Sequence, residues 1–252
     1  MSEAVILCEG YYDRDFWAGW LELLGCPKPA GGAVRDSGGQ IVSGHGHYGY
    51  WTANHRFVRV VPCHGNQRVL SEARRRIEGR HIDPVLSRLV LCVDPDTQAS
   101  GGSAASGLRP DDLLHHVRQF EPAAVMNATD DIELDGGVTK VSLVRWEVAD
   151  DDTPGVPRQQ TLERLVCAAL IAAYPARGVA IQAWLESRPN PPAPDPKEHA
   201  WSHMAGWYAD FGCSAFYKEL WTDPKVVSEL ESRLRACGAW RVAEALVAGA
   251  PA

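Results

Sequence analysis

Several things this sequence lacks narrow its class before any motif is weighed. No stretch approaches the ~18–20 consecutive apolar residues of a membrane-spanning helix. Met1-Ser2-Glu3-Ala4 leads straight into an apolar run without a basic leader. The expectation is therefore a soluble, cytoplasmic chain with no membrane partner. The seven cysteines (8, 26, 63, 92, 167, 213 and 237) include no CxxC pair, which suits reduced, buried thiols in a reducing compartment. His45, His47, His55 and His64 fall close together, but a zinc site there would require a coherent set of four ligands, and none is expected. Positive charge is short as well. Lys and Arg total 25 against 32 Asp and Glu, a formal charge of −7, which argues against binding nucleic acid through a global field.

What is present is unevenly distributed. Between Arg56 and Arg88 eight arginines face only Glu72, Glu78 and Asp83, so this segment carries +5 and the rest of the chain −12. With 252 residues, 45% of them hydrophobic, the chain has enough apolar content for one sizeable core with an extension. The expected division is an α/β domain over 1–188, followed over 189–252 by a Pro-rich connector and a C-terminal helical extension.

Val5–Cys8 is a short continuous apolar run, as a strand buried on both faces requires, and it delivers Glu9-Gly10 to its end. Phe16, Trp17, Trp20, Leu23 and Leu24 recur at helical spacing, giving a helix over 13–24 that Gly25 stops. Residues 28–55 read as a long loop. Strands are expected at 57–61 and 89–93, with a helix over 66–79 between them whose Val69, Leu70, Ala73 and Ile77 face inward. Alternation of this kind points to right-handed βαβ crossovers and a mainly parallel, Rossmann-like sheet flanked by helices. Residues 100–107 form a Gly/Ser linker before a helix at 110–119 that Pro110 and Asp111-Asp112 begin. Asp135-Gly136-Gly137 turns a hairpin between 132–134 and 138–148, and Thr161 caps a helix to about Tyr174. After the proline-rich stretch, helices are expected over 197–209, 214–221, 223–236 and 239–248, with Trp201, Trp207, Trp221 and Trp240 as packing residues.

Glu9 closes the first strand, and Asp94 and Asp96 close the third, so a parallel sheet carries all three to the carboxyl edge where such folds bind ligands. Carboxylates at i and i+2 can turn toward one hard cation, and an oxygen-only set suits Mg²⁺ or Mn²⁺.

These residues carry a family resemblance. Val5-Ile-Leu-Cys-Glu9-Gly10-Tyr-Tyr-Asp13-Arg-Asp-Phe16-Trp17, followed about eighty residues later by Leu89-Val-Leu-Cys-Val-Asp94-Pro-Asp96, resembles the Toprim domain of topoisomerases, bacterial primases and overcoming-lysogenization-defect (OLD) nucleases. Asp13, four residues after the glutamate, makes it most similar to the OLD type. The resemblance covers residues 4–96 and extends more loosely over 158–200. It implies a Toprim-like fold, with Glu9 as metal ligand or general acid/base, Asp13 assisting it, and Asp94 and Asp96 as the metal-binding pair. It further implies that Glu163, opening a helix, is an additional acidic ligand and that Lys197 is a lysine neutralising charge on the scissile phosphate. No GxxxxGK[ST] motif accompanies these residues, so the ATPase half of an OLD protein is missing. No tyrosine stands in a topoisomerase context, and no zinc ribbon supports a primase.

The expected chemistry is divalent-metal-dependent hydrolysis of phosphodiester bonds, in DNA ahead of RNA, in defence or repair. Arg68, Arg74, Arg75 and Arg76 are candidate contacts to nucleic acid, although an arginine run is equally a solvated helix face. The alternatives are a non-catalytic module binding nucleic acid or a partner protein, and phosphoryl transfer on a nucleotide or small phosphoester. A second copy of the chain or a separate ATPase is a candidate partner.

Overall fold

Continuous apolar runs become the central strands of a seven-stranded sheet. The computed structural model describes residues 2–26, 46–82, 85–95, 108–148, 156, 159–190, 202–208 and 215–248. The elements through the sheet are β1 (Ser2–Cys8), α1 (Tyr11–Leu23), β2 (Tyr48–Trp51), β3 (Phe57–Pro62), α2 (Asn66–Glu78), β4 (Val85–Val93), α3 (Pro110–Arg118), β5 (Val125–Met126), β6 (Ile132–Leu134) and β7 (Thr139–Arg145). Helices α4 (Leu162–Ala173), α5 (Pro175–Glu186), α6 (Phe216–Glu219), α7 (Pro224–Ala236) and α8 (Ala239–Val247) follow.

The strand order is β2-β3-β1-β4-β7-β6-β5. Strands β3, β1, β4 and β7 run parallel, while β2, β6 and β5 add antiparallel edges. The molecule is thus an α/β protein with a mostly parallel, Rossmann-like sheet and a C-terminal helical segment. Cys8 is in register with Pro62 and Leu7 with Leu91, so the ends of β3, β1 and β4 lie side by side.

Alternate residues of β1 serve two apolar layers. Ala4, Ile6 and Cys8 join Phe16, Trp17 and Trp20 of α1, Leu165 and Val166 of α4, and Leu230 and Trp240 of the last helices. Val5 and Leu7 face Val69, Ala73 and Ile77 of α2 and Leu113 and Val117 of α3. The C-terminal helices therefore share a core with the sheet. Trp20 stacks on Trp17 at 4.6 Å and on Trp221 at 5.3 Å between ring centroids. Trp207, Trp221 and Trp240 are buried, as packing residues should be, and Trp201 lies outside the described residues.

Two elements depart from the sequence pattern. The span 28–55 reads as loop, yet Tyr48–Trp51 forms an edge strand on β3. Four residues that include a glycine give too short an alternation to stand out. What orders them is Tyr50, which is buried and whose hydroxyl donates to Glu22 Oε1 at 3.3 Å. Helix α5 begins at Pro175, directly after α4 ends at a Tyr174 of non-helical backbone. Its apolar residues show no single face, with Val179 and Trp184 exposed, so periodicity gives it no signature. Of the helix expected over 197–209, residues 202–205 are helical, and 191–201 lie outside the described residues. The Asp135-Gly136-Gly137 turn stands where expected, and all three residues have positive φ, a conformation glycine adopts without penalty.

Gly19 sits where α1 meets α6. A Cβ there would lie 2.5 Å from the Lys218 carbonyl oxygen and would collide with the Trp221 ring. In an exposed helix, Gly→Ala would stabilise by up to ~1 kcal/mol. Here Gly19→Ala is expected to cost about 2–3 kcal/mol through overpacking, read as a lower guanidinium midpoint with an unchanged m-value.

Candidate functional site

Strand β1 ends at Cys8, and the chain turns into α1 through Glu9 and Gly10. Asp13, in the first turn, reaches back so that its Oδ2 accepts the Gly10 N–H at 3.2 Å, while its Oδ1 accepts Trp146 Nε1–H at 2.7 Å. These bonds fix the turn that presents Glu9. One strand away, β4 ends at Val93, and the N–H of Asp94 donates to Glu9 Oε1 at 3.0 Å. Asp94 Oδ1 in turn accepts the Leu162 N–H at 3.1 Å, at the start of α4. Thr161 caps the same helix, its hydroxyl accepting the Arg164 N–H. The partial positive charge of a helix N-terminus thus faces the carboxylate of Asp94. Two carboxylates from neighbouring parallel strands and one helix start are joined by hydrogen bonds at a single edge.

The other residues singled out from sequence are placed as follows. Asp13 lies in the same turn as Glu9 and holds Gly10 and Trp146. Glu163 is 2% exposed, in the first turn of α4. Its charge, together with that of Asp13, adds to burial in pushing the Tyr217 phenol well above its ordinary pKa; burial is the larger cause. Asp96, Lys197 and the 150–152 acidic run lie outside the described residues. On α2, Arg74 pairs with Glu78, and Arg75 and Arg76 both pair with Glu72. These three arginines behave as a salt-bridged helix face, whereas Arg68 has no carboxylate partner among the described residues.

Sequence reasoning passed over Trp146 and the Leu162 backbone amide. Trp146 follows the β7 strand without a motif, and a backbone donor has no sequence signal beyond the helix start that Thr161 marks.

Three buried thiols stand at or beside the carboxyl ends of β1, β3 and β4. Burial raises the pKa of Cys8 well above the thiol norm, with a hydrogen bond to Cys92 adding to it, and pushes Cys63 up to about 12. Cys92 accepts a hydrogen bond from Trp17 Nε1. The carboxylate oxygens at this edge are donors of the kind that suits a hard divalent ion. Among the described residues no three His, Cys, Asp or Glu side chains gather into a metal cage. Glu9 and Asp94 are the two carboxylates that hydrogen bonds join at this edge.

No family model matches the chain, and no curated protein matches it. Among solved structures, a hypothetical protein from Pyrococcus horikoshii superposes with a TM-score of 0.65, covering 98% of this chain and 100% of its own at 15% identity. At that identity the likeness shows a common α/β fold from end to end, and the acidic edge rests on its own geometry.

Proposed function

We propose that the chain is a divalent-metal-dependent nuclease of the Toprim and OLD type, hydrolysing phosphodiester bonds in DNA ahead of RNA. The observation that carries the reading is the joining of Glu9 and Asp94 across the carboxyl ends of two neighbouring parallel strands. Glu9 and Asp94 would hold Mg²⁺ or Mn²⁺, with Asp96 and Glu163 as the further ligands. Such an ion, when bound, supplies Lewis acidity toward water and a phosphate oxygen. The chain's own part is positioning. Asp13 fixes the turn behind Glu9, the Gly65 N–H holds the Glu9 carbonyl at 2.8 Å, and the start of α4 orients Asp94. Lys197 or an arginine of α2 would offset charge on the phosphate.

To test it, the purified protein is incubated with plasmid, linear duplex, single-stranded DNA and RNA, in Mn²⁺, in Mg²⁺ and in chelator. Cleavage in metal that stops in chelator is expected; cleavage that persists in chelator would sink the metal mechanism. One observation favours a second reading, a non-catalytic binding module: both carboxylates already accept backbone N–H groups, a structural use in itself. Absence of both Mn²⁺ binding and cleavage of every substrate would favour that module.

A further inference from the structure

Beside Glu9 the carboxyl edge opens into a cleft of about 470 Å³ whose lining includes His47, Cys63, His64, Arg68, Glu72 and Arg75. Its floor is tied to the acidic turn. The Cys63 N–H donates to the Cys8 carbonyl and the Gly65 N–H to the Glu9 carbonyl, both at 2.8 Å. In the strand order the cleft stands at the end of β3, Glu9 at the end of β1 and Asp94 at the end of β4, so one or two strand spacings, roughly 5–10 Å, separate them. Successive phosphates of a nucleic-acid strand are spaced on that scale.

One feature of the cleft opposes stability unless something negative enters, and a second stores strain at its lip. Gly65 is the N-cap of α2, which places Arg68 in the first turn, where no acidic residue accompanies it. A cation at the positive end of a helix is unfavourable. Arg68 also has no ion-pair partner among the described residues, unlike the three arginines further along the same helix. His64, at the lip, is held at φ 59°, a left-handed backbone that a non-glycine residue keeps at a cost of ~1–3 kcal/mol. Tyr11, the first residue of α1, packs edge-on against it with ring centroids 5.0 Å apart, bracing the lip against the Glu9 turn.

We infer that this cleft receives a phosphate of the substrate strand neighbouring the one at Glu9 and Asp94, with Arg68 as its principal contact; the inference rests on the phosphodiester reading above. The uncompensated charge of Arg68 then serves binding at the expense of the helix. Arg74, Arg75 and Arg76, already paired, contribute little.

The test measures binding of a fluorescein-labelled single-stranded oligonucleotide by anisotropy, in chelator so that nothing is cut, across a salt series. Arg68→Gln is expected to weaken binding about fivefold or more and to lower the slope of log affinity against log salt by ~0.7, one phosphate contact on a single strand. Arg68→Lys should restore the slope. The melting temperature of Arg68→Gln should be unchanged or raised, which a merely structural arginine would not allow. Inorganic pyrophosphate should compete with the oligonucleotide for the wild type and do so less well for Arg68→Gln. An Arg68→Gln protein with wild-type affinity and slope overturns the cleft assignment, while Mn²⁺-dependent cleavage by that protein would leave the nuclease reading standing. A wild-type chain with no affinity for any oligonucleotide in chelator overturns the cleft assignment, and only a chain that also cleaves nothing in Mn²⁺ overturns the nuclease reading.

Discussion

Asp94→Asn and Glu9→Gln should each lower Mn²⁺-dependent cleavage by roughly 10³-fold while leaving the fold intact. The amide replacements are informative because each keeps the oxygen that accepts a structural hydrogen bond. Asn at 94 can still accept the Leu162 N–H, and Gln at 9 can still accept the Asp94 N–H. What each loses is the negative charge a cation needs. Asp94→Ala removes both the charge and the acceptor, so it should lose activity and also destabilise the start of α4 by about 1 kcal/mol. If the carboxylates serve only the fold, the amide variants would retain whatever activity the wild type has, and only the alanine would show a defect. Rates and unfolding midpoints measured on all three variants separate the two roles.

Asp131→Ala should be the most destabilising of the single changes considered, at about 3–5 kcal/mol, because it strands a buried guanidinium. Asp131 is 2% exposed and pairs with Arg88 at 3.1 Å and with Arg241 of α8 at 3.3 Å. Arg88 also donates to the Ser142 hydroxyl at 2.6 Å. Burial alone would raise the carboxyl pKa, but the Arg88 charge, the Ser142 hydroxyl and the Arg241 charge outweigh it and hold it below the ordinary aspartate value. A depressed folded pKa contributes stability that is complete above the unfolded value near 3.9 and is lost as pH falls through the lower folded value. Wild-type stability should therefore fall on the acid side of about pH 4, and Asp131→Ala should flatten that limb. Replacing Arg88 by Met together with Asp131 by Leu should recover much of the loss, since an apolar pair leaves no charge buried. Denaturant midpoints from pH 7 down to pH 3 provide the check; an unchanged acid limb in Asp131→Ala would refute the assignment.

The central fold is legible in the sequence because strands buried on both faces must be continuously apolar. That is why 5–8 and 89–93 stand out, with 57–61 interrupted only by Arg59, and why Glu9 and Asp94 can be assigned to one edge from the sequence. The antiparallel margins follow a weaker rule. Strand β2 is ordered by one buried tyrosine and a neighbour's carboxylate, and α5 by a narrow stripe of Gly178, Ile181 and Leu185 while Val179 and Trp184 stay exposed, so neither leaves a period to read. At the site, residue type anticipates the carboxylates but not their partners. That Asp13 would brace Gly10 and Trp146, or that three of the four α2 arginines would be neutralised by Glu72 and Glu78, depends on rotamers and helix faces. The isolation of Arg68 emerges only when those pairings are known.

The bond from Leu162 to Asp94 also has a kinetic meaning. It joins residues 68 apart, and the bond from Asp94 to Glu9 joins residues 85 apart. Closing such long loops is entropically costly, so these contacts should be made late, after the strands have found one another. During synthesis Glu9 and Asp94 leave the ribosome well before residue 162, and a nascent chain carries the pair without the helix that orients it. Protection of the Leu162 amide against hydrogen exchange during refolding would time the moment at which the acidic edge becomes a finished site.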